Sequence, residues 1–151
     1  MSTIFTQKEI EDFLVAIFTD PSSFQKEYSL IDDLKVSFCL LSSNEHLLIE
    51  NYIDELISNS KITNNVQAIK EKKKLQMLLS VYSLSSTKHK IFYKKTNNLN
   101  MAFSSICDNL KSQVLYSLFI ARWKEFNKHI KALVKEATAP DFFQDIREST
   151  S

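Results

Sequence analysis

Apolar residues recur along the chain at two different spacings. Ile10, Phe13, Leu14 and Ile17 fall three and four apart, the stripe of an amphipathic helix over 7–18. Thr6 and Glu9 form a T-x-x-E capping box at its start, and Asp20-Pro21 closes it. The stretch 22–33 is looser, with at most one helical turn around Phe24 and Tyr28. Residues 34–41 then alternate, with Leu34, Val36, Phe38 and Leu40 on one side and Lys35, Ser37 and Cys39 on the other. This is the pattern of a strand, and a lone strand needs a neighbour. A second short strand over 90–93, or another molecule, would supply it.

Ser42 and Glu45 make a second capping box. The helix behind it carries Leu47, Leu48, Tyr52, Ile53 and Leu56 and ends in the polar loop 58–65. The spacing next predicts a helix over 66–84. Its first half is charged, and its second half, LQMLLSVYSL, is apolar almost all round, which marks a central core element. A polar, basic loop over 85–95 follows. A short helix over 99–107 holds Met101, Phe103 and Ile106. The longest helix, over 111–136, has Val114, Leu115, Leu118, Phe119, Trp123, Phe126, Ile130 and Val134 as its buried stripe. Pro140 stops it. The expected fold is mainly α: a compact bundle of about five helices with at most one short β element near 34–41. The helical domain covers 1–139, and a short C-terminal tail covers 140–151.

Composition narrows the function classes. Of 151 residues, 44% are hydrophobic and 25% charged, which suits a folded globule. There is no glycine. A P-loop, a Rossmann fingerprint and a nucleophile elbow each require one, so all three are excluded. Tight hairpins also lose their usual turn residue, while Asn can take over at helix C-caps. No run of about 18 apolar residues offers a transmembrane helix. The opening MSTIFTQKEIEDF has acids where a signal peptide carries positive charge, so a cytoplasmic protein is expected.

Candidate chemistry is sparse. His46, His89 and His129 lie outside ligand spacing of one another and of the cysteines, so no metal or cofactor is expected. Cys39 and Cys107 sit in apolar stretches and read as reduced core thiols. Cys107 with His129 reads as a core thiol and a surface imidazole rather than a catalytic pair. Asp32-Asp33 and Asp54-Glu55 read as solvated carboxylates in a turn and on an outer helix face. Without a nucleophile, base and oxyanion hole in view, the expectation is that the chain is not an enzyme.

Charge is more informative. Residues 1–60 hold eleven acids against three lysines, whereas 70–95 hold eight lysines against Glu71, yet the whole chain nets +1. The basic group is Lys70, Lys72, Lys73, Lys74, Lys88, Lys90, Lys94 and Lys95. It either balances the acidic part within the fold or meets an acidic partner. A nucleic acid would lie along these lysines with Phe92 and Tyr93 stacking on bases. The tail offers another contact, with Phe142, Phe143 and Ile146 at i, i+1, i+4 spacing as anchors for a partner's groove or for its own domain.

The order of segments resembles small proteins of tailed phages, the tail assembly chaperones and baseplate hub assembly proteins. LKVSFCLL leads into SSNEHLLIENYIDEL, then VQAIKEKKKLQMLLSVYSL, and later LKSQVLYSLFIARWKEFNKHIKAL, with Trp123-Lys124-Glu125-Phe126 as the aromatic-polar-polar-aromatic stretch. The likeness spans 34–133. Many such proteins carry a glycine after the apolar helix, where this chain has Ser85-Ser86. The resemblance implies an interaction module that binds a tail or baseplate component, as a transient helper or as a minor structural subunit. It brings no catalytic residues. Oligomeric state is open at this stage, and no membrane is implied.

Overall fold

In a computed structural model of the chain, residues 5–86, 90–95 and 98–138 are described. They form α1 (Gln7–Phe18), a 3-10 turn (Pro21–Ser23), β1 (Gln25–Ile31), β2 (Leu34–Cys39), α2 (Ser43–Ser58) and α3 (Asn65–Leu79). β3 (Val81–Ser86), β4 (Lys90–Lys94), α4 (Leu99–Asn109) and α5 (Gln113–Ala137) follow. The four strands make one antiparallel sheet in the order β1-β2-β3-β4. The fold is therefore mixed, helices with a four-stranded sheet. The expected all-α bundle with at most one short β element is wrong.

The helix starts follow their caps. Thr6 accepts from the Glu9 N–H, Asn64 from Gln67, and Asn98 from Asn100 and Met101. Ser42 and Glu45 complete a reciprocal capping box, as the sequence predicts. Without glycine, other residues take the left-handed positions. Asp32 (φ 51°) turns the two-residue loop between β1 and β2. Ser60 (φ 60°) ends α2 in a Schellman arrangement, with Lys61 N–H on Leu56 O at 2.9 Å and Ser60 N–H on Ile57 O at 3.0 Å.

The apolar run after Lys74 is not one helix. Leu75, Met77, Leu78 and Leu79 are buried at the end of α3, and Val81 and Leu84 are buried in β3. A continuously apolar run has no period to separate a helix end from a strand. The break is at Ser80, whose hydroxyl donates to Met77 O at 2.7 Å while its carbonyl accepts from Cys39 N–H at 2.7 Å. The predicted loop over 85–95 holds the end of β3 and all of β4. The predicted strand over 34–41 is β2, and its neighbours are β1 and β3 rather than 90–93.

One face of the sheet is packed. Leu30, Val36, Phe38, Val81, Leu84 and Tyr93 meet Ala102 and Ile106 of α4 and Phe119 and Phe126 of α5. Phe38 lies 5.4 Å from Phe126 and 5.7 Å from Phe119 between ring centroids. The buried positions of α5 are Phe119, Phe126, Leu133 and Ala137, whereas Val114 and Val134 of the predicted stripe are exposed. Trp123 is only partly buried. α2 and α3 close a second cluster around Ile49, Ile53, Leu75 and Leu79. Phe5, Phe13 and Leu133 tie α1 to α5. Among the described residues, no helix is long and apolar enough to cross a membrane.

Candidate functional site

α1 is held on one side only. Phe13 packs edge-on against Phe24, with centroids 5.5 Å apart, and against Leu133 of α5. That contact turns Lys8, Asp12 and Val15, spaced i, i+4 and i+7, away from α5. They look across an open cleft of about 680 Å³ toward Gln25, Lys26 and Glu27 of β1.

A charged cluster closes the end of this cleft. His129 Nε2 is 3.1 Å from Glu9 Oε1, and Lys26 Nζ lies 3.5 Å from Nδ1 and 3.4 Å from Nε2. A lysine ammonium only donates and a carboxylate only accepts. One neutral tautomer suits both: Nε2–H donates to Glu9 and Nδ1 accepts from Lys26. The Phe5 ring covers the imidazole edge-on at 5.1 Å. Burial holds the His129 pKa below its ordinary value, Lys26 pushes the same way, and Glu9 opposes them. The predicted surface imidazole is thus the joint between α1, β1 and α5, and it faces Glu9 and Lys26 rather than Cys107.

The strand beside the cleft has a free edge. Cys39 N–H donates to Ser80 O, so Cys39, Ser37 and Lys35 turn their backbone groups toward β3. Val36 and Phe38 then bond toward β1, through their partners Tyr28 and Lys26. Antiparallel alternation leaves the backbone groups of Gln25, Glu27 and Ser29 pointing off the sheet. Ser29 O is already taken, by Arg122 Nε at 2.9 Å. The N–H and C=O of Gln25 and Glu27 have no partner among the described residues.

A second charged cluster lies across the sheet. Lys95 Nζ is 2.7 Å from Glu45 Oε2, with the two side chains only 10% and 13% exposed. No aligned hydrogen bond reaches that oxygen, so this is a contact ion pair. Lys95 also donates to Cys39 Sγ at 3.3 Å. Burial pushes the Cys39 thiol pKa up, against the pull of Lys95. A fully buried thiol with a raised pKa is a poor nucleophile. Neither cysteine is in a disulfide; Cys107 is half-buried on α4.

Three lysines of the predicted basic patch are engaged within the fold. Lys72 pairs with Glu50 at 3.7 Å, Lys74 sits 4.6 Å over the Phe103 ring, and Lys95 is in the buried pair. Lys70, Lys73 and Lys94 are exposed. Lys88 and the side chain of Lys90 lie outside the described residues, as do Phe142, Phe143 and Ile146. No group of three or more His, Cys, Asp or Glu that could hold a metal occurs among the described residues.

Sequence reasoning missed Gln25, Lys26, Glu27 and Asp12, and it took Glu9 only as a cap. Glu9 and Lys26 lie 120 and 103 residues from His129, so no local spacing signals the cluster. No family model, no curated protein and no solved structure matches the chain.

Proposed function

We propose that this chain is a non-enzymatic module that binds another protein, with α1 and β1 as its recognition end. The observation that carries this is the open cleft of about 680 Å³ alongside an unpaired stretch of strand edge. Free edges invite pairing, and soluble proteins normally cover or blunt them. Here one carbonyl is blunted, by Arg122, and the stretch beside the cleft is left open. The imidazole next to it has both nitrogens engaged, so it does not serve as a free base. Two cysteines outside any disulfide suit a reducing cytoplasm.

The phage resemblance leaned on 66–84 as one helix. That stretch is a helix followed by a strand, so the partner is defined here by the cleft and not by the resemblance. A nucleic-acid partner is the weaker reading, because Glu50, Phe103 and Glu45 already engage Lys72, Lys74 and Lys95 of the basic segment.

Site-specific photo-crosslinking in a nuclease-treated native lysate tests the proposal. Probes at Gln25 or Asp12 should give a discrete protein adduct, and probes at Val66 on α3 should not. Adducts from Val66 alone, or adducts lost on nuclease treatment, would contradict it.

A further inference from the structure

We infer that the partner segment is extended and basic, adding as a fifth strand on β1 with a Lys or Arg side chain beside Asp12. This rests on the reading of α1 and β1 as the recognition end, and it names what that end takes.

The backbone supplies the first half of the argument. Gln25 and Glu27 each present an N–H and a C=O off the sheet, two residues apart. That repeat matches the bonding groups of an incoming strand. Arg122 on Ser29 O sets one limit of the site, and the 3-10 turn Pro21–Ser23 sets the other. The added strand would lie between β1 and α1, where the cleft is.

Charge supplies the second half. Alternate side chains of an added strand point toward opposite faces of the sheet, so every second one enters the cleft. There, Asp12 is exposed and has no ion-pair partner among the described residues. Glu9, held by His129, stands one turn away, and Glu27, paired with Lys35 at 3.5 Å, lies across the gap. Of the two cations that line the cleft, Lys26 is held against His129 and Lys8 stands on the α1 wall. A guanidinium or ammonium entering beside Asp12 is attracted, and a carboxylate is repelled.

A second copy of the chain fits less well. Two β1 edges meeting about a two-fold axis at Glu27 would place Glu27 opposite its own copy, and like charges directly opposite destabilise a ladder.

The test pans the full chain against a displayed random library of short linear peptides and measures the enriched peptides by fluorescence anisotropy. Enriched peptides should carry Lys or Arg at alternate positions and be free of proline at the bonding positions. Glu27→Pro removes an outward N–H at an edge position that tolerates proline, and should weaken binding at least about tenfold. Asp12→Lys changes only an exposed helix residue and should weaken the basic peptides by a similar factor while leaving folding intact. Enrichment of acidic or helical peptides, no enrichment at all, or binding unchanged in both variants would overturn the inference. So would concentration-dependent dimerisation lost on Glu27→Pro. Protein adducts from Gln25 or Asp12 alongside any of these results would leave the interaction role standing, and absent adducts would remove that role itself.

Discussion

Just after β4 one charged pair is turned inward and matched, whereas beside β1 charged groups line an opening. Lys95, just after β4, bonds Tyr82 O through its backbone N–H at 2.7 Å and pairs with Glu45 through its side chain. The pair is nearly sealed from water. Its long-range contact with Cys39 ties the start of α2, the end of β2 and the end of β4 together. At β1, His129 is similarly tucked away, yet Glu9 beside it is a third exposed and Asp12 is exposed. The two ends use the same residue types differently: a buried pair fixes the geometry of a junction, and a rim on which Asp12 has no ion-pair partner among the described residues leaves a surface to be completed by something else.

The shared core sets the largest expected effect. Phe38 packs on both Phe119 and Phe126 under the middle of the sheet. Phe38→Ala should cost about 3–5 kcal/mol and abolish both ends in one transition. A two-step denaturant curve would show that the α1–β1 end melts by itself and that the comparison is between independent units. Next comes the sealed pair. Lys95→Ala strands the Glu45 carboxylate in a nearly buried site and should cost about 3 kcal/mol, whereas Lys95→Met with Glu45→Gln, which keeps an acceptor for the Ser42 N–H, should recover most of that loss. Equal losses in the single and double variants would mean that packing rather than charge matters at β4.

The open end should respond to pH. Because the folded pKa of His129 lies below the ordinary 6.5, folding favours the neutral ring. The stability that this contributes is complete above 6.5 and is lost as pH falls from there through the folded value. Charging the ring would set an imidazolium against Lys26 and loosen the joint between α1 and β1. His129→Gln should flatten this limb of the stability–pH curve, as read by denaturant titration at several pH values. An unchanged limb would move the titrating group elsewhere. The smallest effect is Asp12→Lys, which should shift stability by less than about 0.5 kcal/mol, in keeping with an exposed residue outside the fold's core.

These expectations draw on parts of the molecule that the sequence revealed unevenly. α1, α2, α5 and β2 were legible because their apolar residues recur at a regular spacing, as at Phe13, Ile53, Phe126, and Val36 with Phe38, although Ser37 and Cys39 on the other face of β2 are buried as well. β1 was not. Its inward positions are Lys26, Tyr28 and Leu30, so an ammonium interrupts the apolar alternation, and the ammonium is there because His129 receives it. β3 was hidden inside the apolar run of α3, where only the side chain of Ser80 marks the turn. The stretch 22–33 reads as a loose segment ending in a turn at Asp32-Asp33, and without glycine it gave no hairpin signal; Asp32 makes the tight β1–β2 turn. Of the candidate site, sequence showed the acidic bias of residues 1–60 but not that Glu9, Asp12 and Glu27 line a cleft. That placement depends on α5 returning beside α1, a contact between residues more than a hundred positions apart.

Amide hydrogen exchange along β1, residue by residue in the free chain, is the most direct test of the open edge. The account predicts alternation: Lys26 and Tyr28, bonded to β2, exchange slowly, while Gln25 and Glu27 exchange fast and become protected when a bound peptide is added. Slow exchange at Gln25 and Glu27 in the free chain would mean that the edge is already paired, and would contradict the account at its centre.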